Sequence, residues 1–259
     1  MTLKVVDNNI NTDKEDLQII KLSASSMKTY EQCPKKYFYT YIEKVPRQEW
    51  DHFDLGNLCH KALEIFHRIY MQEGNKMGSL SKLMTHSFST AKKEFEKITP
   101  HLKDEAKALL LDYLKAISAN GMPLVKGVET PFNFKINDEI LIRGFIDRLD
   151  ISKDGKFRII DYKTTKNVKY LDPFQLLIYG LWLKHEYPDL EKFRASYVLL
   201  RHGSKTKDYE FNMEDLKKAE KEILGYASKL KVENQWVPVP TALCNWCDFK
   251  NICPAQQAW

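Results

Sequence analysis

Two aspartates and a lysine stand out by type and spacing. Asp147 lies in the run GFIDR, and Asp161 and Lys163 form an Asp-x-Lys pair in the run IIDYK. Two carboxylates that converge on a hard divalent cation, with an amine beside them, form a constellation for hydrolysing phosphodiesters. An isolated Asp-x-Lys also arises by chance, and Asp150, Asp154 and Asp161 are all compatible with turns. The trio gains weight from its neighbours. Glu129 precedes it, and Gln175 and Tyr179 follow in the run QLLIY.

These residues need strands to hold them. Thr130–Ile136 and Glu139–Ile151 alternate in polarity around an Asn137-Asp138 turn, which predicts a hairpin. A second turn at Lys153-Asp154-Gly155-Lys156 leads into a strand over Phe157–Lys163. Side chains alternate faces along a strand. Phe145 and Asp147 should therefore share one face, opposite Gly144 and Ile146. Ile159, Asp161 and Lys163 should share a face opposite Ile160 and Tyr162.

Helices are expected around this centre. Ser23, Ser25 or Ser26 can cap one that runs to Tyr41, with Glu31 in capping-box range. Tyr30, Cys33, Tyr37 and Tyr41 recur on it at helical spacing, interleaved with Lys35 and Lys36. The tyrosines suit a core stripe. Alternatively, Tyr30 and Tyr37 stack on a single strand while Lys35 and Lys36 neutralise its backbone. Gly56–Met71 predicts a helix on which His60 and Glu64 share a face and His67 is structural. Residues 74–120 read as a helical insertion, with helices over Ser79–Thr99 and Leu102–Ala119. A helix over about 172–186 puts Gln175 and Tyr179 on one side. Strands over Phe193–Leu200 and Asp208–Phe211 and a helix over Met213–Asn234 complete the pattern.

Composition narrows the class. The chain has 259 residues, 43% hydrophobic and 12% aromatic, which suits a folded globular protein. Lys and Arg exceed Asp and Glu by 40 − 35 = 5, a mild basic excess compatible with phosphate contacts. No apolar run approaches the roughly 20 residues needed to cross a bilayer, so no membrane role is expected. Residues 1–22 read as a polar tail without a secretory pattern, and the expected location is cytoplasmic. No glycine-rich phosphate loop is present, so ATP hydrolysis is not encoded here.

Five cysteines in such a chain favour metal or redox chemistry over disulfides. Cys244, Cys247 and Cys253 form a C-x2-C-x5-C run, one thiolate short of a tetrahedral set, and Cys33 is the candidate fourth. Zn²⁺ accepts four cysteines, although it more often uses two C-x2-C pairs. Cys59 reads as a small core residue.

The ordered set of Glu129, GFIDR, IIDYK and QLLIY resembles the PD-(D/E)XK nuclease superfamily, and within it the RecB-like and AddB-like exonuclease branch. The Tyr-x-x-Cys-Pro-x-x-Tyr element and the G-x-x-x-H form ending at His60 extend the likeness over Ser23–Pro254. The resemblance implies an α/β, restriction-endonuclease-like core. It would have a central mixed sheet flanked by helices, a helical insertion and an iron–sulfur lobe made by the two chain ends. One nuclease domain would then occupy 23–259. The resemblance also implies Mg²⁺ or Mn²⁺ held by His60, Asp147, Asp161 and the Tyr162 main-chain carbonyl. Lys163 would act on the attacking water, Glu129 would assist, and Gln175 and Tyr179 would support the lysine and the DNA. Cys33, Cys244, Cys247 and Cys253 would hold a 4Fe–4S cluster.

Three functions compete on these residues. One is a DNA exonuclease acting on ends or single strands in recombination, repair or phage DNA processing. The second is prespacer trimming in CRISPR adaptation, beside an integrase. The third is a DNA-end-binding scaffold with weak catalysis, partnering a helicase or an integrase. The complete set His60, Asp147, Asp161 and Lys163 argues against the third. Any motor would be a separate chain.

Overall fold

The computed structural model describes residues 19–47 and 51–257. Its strands are β1 (Ile20–Leu22), β2 (Val125–Asn137), β3 (Ile140–Ile151), β4 (Phe157–Lys163), β5 (Lys192–Leu199) and β6 (Lys205–Asn212). The helices are α1 (Ala24–Gln32), α2 (Pro34–Tyr37), α3 (Asp51–Glu73) and α4 (Leu80–Ala91) in the first half of the chain. They continue with α5 (Pro100–Asn120), α6 (Phe174–Glu186), α7 (Met213–Val232) and the short α8 (Pro254–Gln257).

All six strands join one mixed sheet. β3 pairs antiparallel with β2 along most of its length and with β4 at its far end, and parallel with β1 at its near end. β5 runs parallel to β4, and β6 closes the sheet antiparallel to β5. A strand has two edges. With β2 along one edge of β3, β1 at Ile140–Ile142 and β4 at Arg148–Ile151 must share the other. Between them, rungs 143–147 carry no partner strand on that side. This notch positions the site.

Both faces of the sheet are covered, which is why β4 and β5 are largely apolar on both sides. One face packs α1, α2, α6 and α7 through residues such as Met27, Leu176, Leu183 and Ile223. The other packs α3, α4 and α5 through Leu58, Phe66, Leu83 and Leu110 against Ile160, Tyr162 and Val198. Helices α4 and α5, expected as an insertion, form one apolar layer with α3. The expected α/β architecture with a helix-flanked mixed sheet is what the chain adopts.

Several local expectations are corrected. Residues 20–22 are an edge strand with Leu22 1% exposed, so the polar tail does not extend to residue 22. Residues 1–18 lie outside the described residues. The long N-terminal helix breaks at Cys33, which is extended at φ −165° and ψ 110°. Pro34 explains the break, since its ring drives the preceding residue out of the helical region. Ser23 is the cap, and Ser26 answers it in the capping box in place of Glu31. The helix from Ser79 stops at Ala91, because Lys92–Lys97 offers little but Phe95 to bury. That segment forms tight turns until Pro100 opens α5.

Helix α6 lies close over β5. A Cβ at Gly180 would overlap the Phe193 ring. Gly180→Ala is therefore expected to destabilise the fold by about 1–3 kcal/mol through overpacking. Urea denaturation measures it, and wild-type stability would contradict the close helix–sheet packing.

Candidate active site

The notch in β3 is where the chemistry-bearing side chains gather. The β3–β4 ladder ends at the Arg148–Ile160 rung. Just beyond it the Tyr162 backbone N–H donates to Asp147 Oδ2 at 2.8 Å. A side chain has taken the place of the strand. Alternation also breaks here. Ile146 packs in the layer with Ile159, whereas Arg148, two residues on, bonds to Tyr162 in the opposite layer. Asp147 meets His60 from α3, in the layer opposite Ile146, so the break falls between Asp147 and Arg148. Phe145 is 59% exposed, and Asp147 turns into the gap between strands. Across the β2 rung, Glu129 has a left-handed φ of 44°, a strained choice for a non-glycine residue.

His60 reaches this notch from α3. Its Nδ1 lies 3.3 Å from Asp147 Oδ2, and its Nε2 lies 2.9 Å from the Tyr162 carbonyl. One turn earlier, Gly56 lets Thr164 approach, since a Cβ there would sit 3.2 Å from Thr164 Oγ1. That gives the G-x-x-x-H spacing a steric reason.

Among the described residues, His60, Glu129 and Asp147 offer ligand atoms all within 4.8 Å of one another. Burial and the neighbouring Asp147 charge push the Glu129 carboxyl up to about 7. Burial works against a proton on His60, but the charge and hydrogen bond of Asp147 outweigh it and hold His60 at about 9. Asp147 is buried, yet His60 and the Tyr162 N–H hold its carboxyl below the usual range. One imidazole nitrogen and crowded carboxylates with a nearby carbonyl make a donor set that fits a hard divalent ion such as Mg²⁺ or Mn²⁺. Such an ion would displace the His60 proton.

Asp161 stands beside that trio and outside its 4.8 Å grouping. It is 1% exposed. Its Oδ2 pairs with Lys163 Nζ at 2.7 Å, and its Oδ1 accepts from Tyr179 OH at 3.4 Å. Burial raises its pKa, Lys163 opposes the rise, and Asp147 adds to it, which places the two carboxylates in electrostatic contact. Lys163 Nζ also donates to Gln175 Oε1 at 2.9 Å, and Gln175 Nε2 to Tyr179 OH at 2.6 Å. The one-turn spacing of Gln175 and Tyr179 on α6 thus closes a ring around Asp161 and Lys163.

The cysteines assemble elsewhere. Cys33, Cys244, Cys247 and Cys253 line a single cavity of about 490 Å³, together with Lys36 and Phe249. Val239 N–H donates to Cys33 Sγ at 3.5 Å, and Thr241 N–H to Cys244 Sγ at 3.3 Å. Tyr39 and Phe249 pack at 5.3 Å between ring centroids and join the two chain ends. Tyr30 and Tyr37 are 9% and 5% exposed, so the expected base stacking is corrected. Both rings are used in the core, where Tyr37 stacks on Trp236 at 5.8 Å and Tyr30 donates to Glu233. Lys35 lies over the Phe38 and Tyr39 rings, and Lys36 stays on the cavity rim.

Sequence patterns did not expose the residues behind the notch. Arg148, Asp150, His67 and Tyr113 form a buried polar cluster. The available signal was Arg148 and Asp150 at alternate positions of an otherwise apolar strand end.

The family model for the PD-(D/E)XK nuclease superfamily matches residues 21–254. One subunit of an ATP-dependent helicase/deoxyribonuclease from Streptococcus mutans is 28% identical over 168 residues, 61% of this chain and 15% of that protein. A protein of the same name from Carboxydothermus hydrogenoformans is 31% identical over 183 residues, 58% of this chain and 17% of that one. The chain thus spans less than a fifth of these relatives. A solved structure described as a candidate exonuclease from Eubacterium rectale superposes with a TM-score of 0.55 at 12% identity. It covers 99% of this chain and 94% of the other, a likeness of fold.

The thiols differ sharply in access. Burial pushes Cys59 up to about 12, whereas Cys33, Cys244, Cys247 and Cys253 are partly exposed. In metal-free native protein, iodoacetamide should label those four and reach Cys59 only after unfolding. Peptide mass spectrometry reads the outcome, and native labelling of Cys59 would contradict its core position.

Proposed function

The chain belongs to the PD-(D/E)XK nuclease superfamily, and from that premise we propose that it is a metal-dependent DNA exonuclease acting on ends or single strands. The carrying observation is the convergence of His60, Glu129 and Asp147 in the notch, with the Asp161–Lys163 pair beside them. DNA as substrate, and a role in recombination or repair, draw support from relatives named as deoxyribonucleases. Those relatives are also named as ATP-dependent helicases, so a helicase is the proposed partner activity, supplied from outside these 259 residues.

His60, Asp147, Asp161 and the Tyr162 carbonyl would hold Mg²⁺ or Mn²⁺, with Glu129 completing the carboxylate set. When bound, the cation acidifies a water and polarises the scissile phosphate. Lys163 Nζ would donate to that water or to a phosphate oxygen as negative charge develops. Gln175 Oε1 fixes the amine, and Tyr179 keeps its proton and turns it toward Asp161. Lys35 and Lys36 remain candidates for backbone contacts away from the notch.

The four thiols would hold a 4Fe–4S cluster as a structural clasp. All four line one cavity, which brings thiolates from the two chain ends to a shared place, as a cluster held by four cysteines requires.

Anaerobically purified protein with Mg²⁺ or Mn²⁺ should degrade end-labelled linear single-stranded DNA. Asp161→Ala should abolish cleavage, and Lys163→Ala should slow it about 100- to 1,000-fold. Both should keep the visible absorbance of the cluster, which Cys247→Ala should lose along with much of the soluble protein. Cleavage by Asp161→Ala at the wild-type rate would defeat the site assignment.

A further inference from the structure

A buried guanidinium lies directly behind the notch. Arg148 is 5% exposed, and its partners Asp150, His67, Tyr113 and Tyr162 are 8%, 0%, 2% and 2% exposed. Nε and Nη2 pair with the two Asp150 oxygens at 2.8 and 2.9 Å. Nη1 lies 2.5 Å from Tyr113 OH, 2.7 Å from Tyr162 OH and 3.0 Å from His67 Nε2.

Proton counting gives these contacts a direction. Nη1 has two hydrogens, which go to the two tyrosine oxygens. Tyr113 then donates to His67 Nε2 at 2.6 Å, and Tyr162 to Tyr113 at 3.3 Å. Burial and the adjacent guanidinium keep His67 neutral, so its Nε2 accepts and its Nδ1 is left without a partner.

A cluster of this kind is a poor way to gain stability. Buried ion pairs seldom outperform apolar side chains of the same volume, and an orphaned Nδ1–H adds a further penalty. What an apolar core cannot supply is direction. A planar guanidinium with five donors fixes the elements around it in one mutual arrangement. Those elements are the ones that matter. His67 lies two turns from His60 on α3, Tyr162 lies between Asp161 and Lys163 on β4, and Arg148 follows Asp147 on β3.

We infer that Arg148 is a positioning residue for the metal site. Its anchoring beneath α3 sets the reversal of β3 after Asp147, and its bonds to Tyr162 and the His67–Tyr113 pair fix α3 against β4. His60, Asp147 and the Tyr162 carbonyl are thereby directed onto one point. The inference rests on the metal site proposed above. Arg148 itself touches neither substrate nor ion.

The test is Mn²⁺ binding, read by the electron paramagnetic resonance of the free ion, with melting temperature recorded in parallel. Wild type, Asp161→Ala, Arg148→Lys and Tyr113→Phe are compared. Arg148→Lys keeps the charge and loses the fork, and should bind Mn²⁺ about 10- to 100-fold more weakly, as for other partners that orient ligands. Tyr113→Phe removes one hydroxyl on an element that carries no ligand. It should weaken Mn²⁺ in the same direction by less, and its DNA cleavage should recover toward the wild-type rate at saturating Mn²⁺. If Arg148→Lys does not fold, Tyr113→Phe decides alone. Wild-type Mn²⁺ affinity in Tyr113→Phe, whatever its melting temperature, would overturn the inference. Absence of Mn²⁺ binding by wild type would instead overturn the site on which it rests.

Discussion

Past the rung formed by Arg148 and Ile160, two central antiparallel strands stop pairing, and the hydrogen bond that would continue the ladder is made by a carboxylate. Asp147 Oδ2 accepts the Tyr162 N–H at 2.8 Å and lies 3.3 Å from His60 Nδ1. A charged acceptor held by a backbone donor is oriented before any ligand arrives, and the bond favours its ionised form. The edge of β3 is divided between β1 and β4, and the undivided stretch is where function can sit. Glu129 answers from β2 with a left-handed backbone at the same rung. Both strands leave ideal geometry at one place, and the strain falls where His60, Glu129 and Asp147 come together.

The two helical layers contribute differently to that place. The layer with α6 surrounds Asp161 and Lys163 through Gln175 and Tyr179. The layer with α3 and α5 brings His60 to the notch and buries Arg148 behind it. Lys163 also stands over the Tyr197 ring at 5.2 Å, so its stem is confined by β5 as well. His60 therefore reaches the notch from one layer, and the groups that hold Asp161 and Lys163 reach it from the other. Neither layer holds a complete site. The sheet that separates them must be open at that point, and the notch is the opening.

Much of this was legible in the sequence where local rules govern. The strand over Phe157–Lys163 and its alternation hold, with Ile159 in one layer and Ile160 and Tyr162 in the other. The QLLIY spacing gave the Gln175–Tyr179 contact because a helical turn is a local property. Alternation breaks between Asp147 and Arg148, where Arg148 reaches Tyr113 on α5, and strand periodicity has no access to that helix. The short strand at Ile20–Leu22 reads as tail in the sequence for the same reason, since it pairs with a strand over a hundred residues away. Tyr30 and Tyr37 looked able to stack on bases because Lys35 and Lys36 lie between them. The Pro34 break and the distant Trp236 decided otherwise.

The chain ends and the notch would be held by devices that act on different states. A group bridging Cys33 to Cys253 would close a loop of more than two hundred residues. Its benefit comes largely from restricting the unfolded chain, and loop-closure entropy rises by only about 0.6 kcal/mol per doubling of length. Such a clasp changes how much protein is folded and leaves the notch geometry nearly untouched. The Arg148 cluster is the converse. It brings little net stability, because a buried ion pair is expensive to desolvate, but it limits the arrangements open to the folded state. Oxidative damage at the thiols and disruption behind the notch should therefore separate. One would deplete the folded population, and the other would leave folded molecules in which His60 and Asp147 no longer point at a common place.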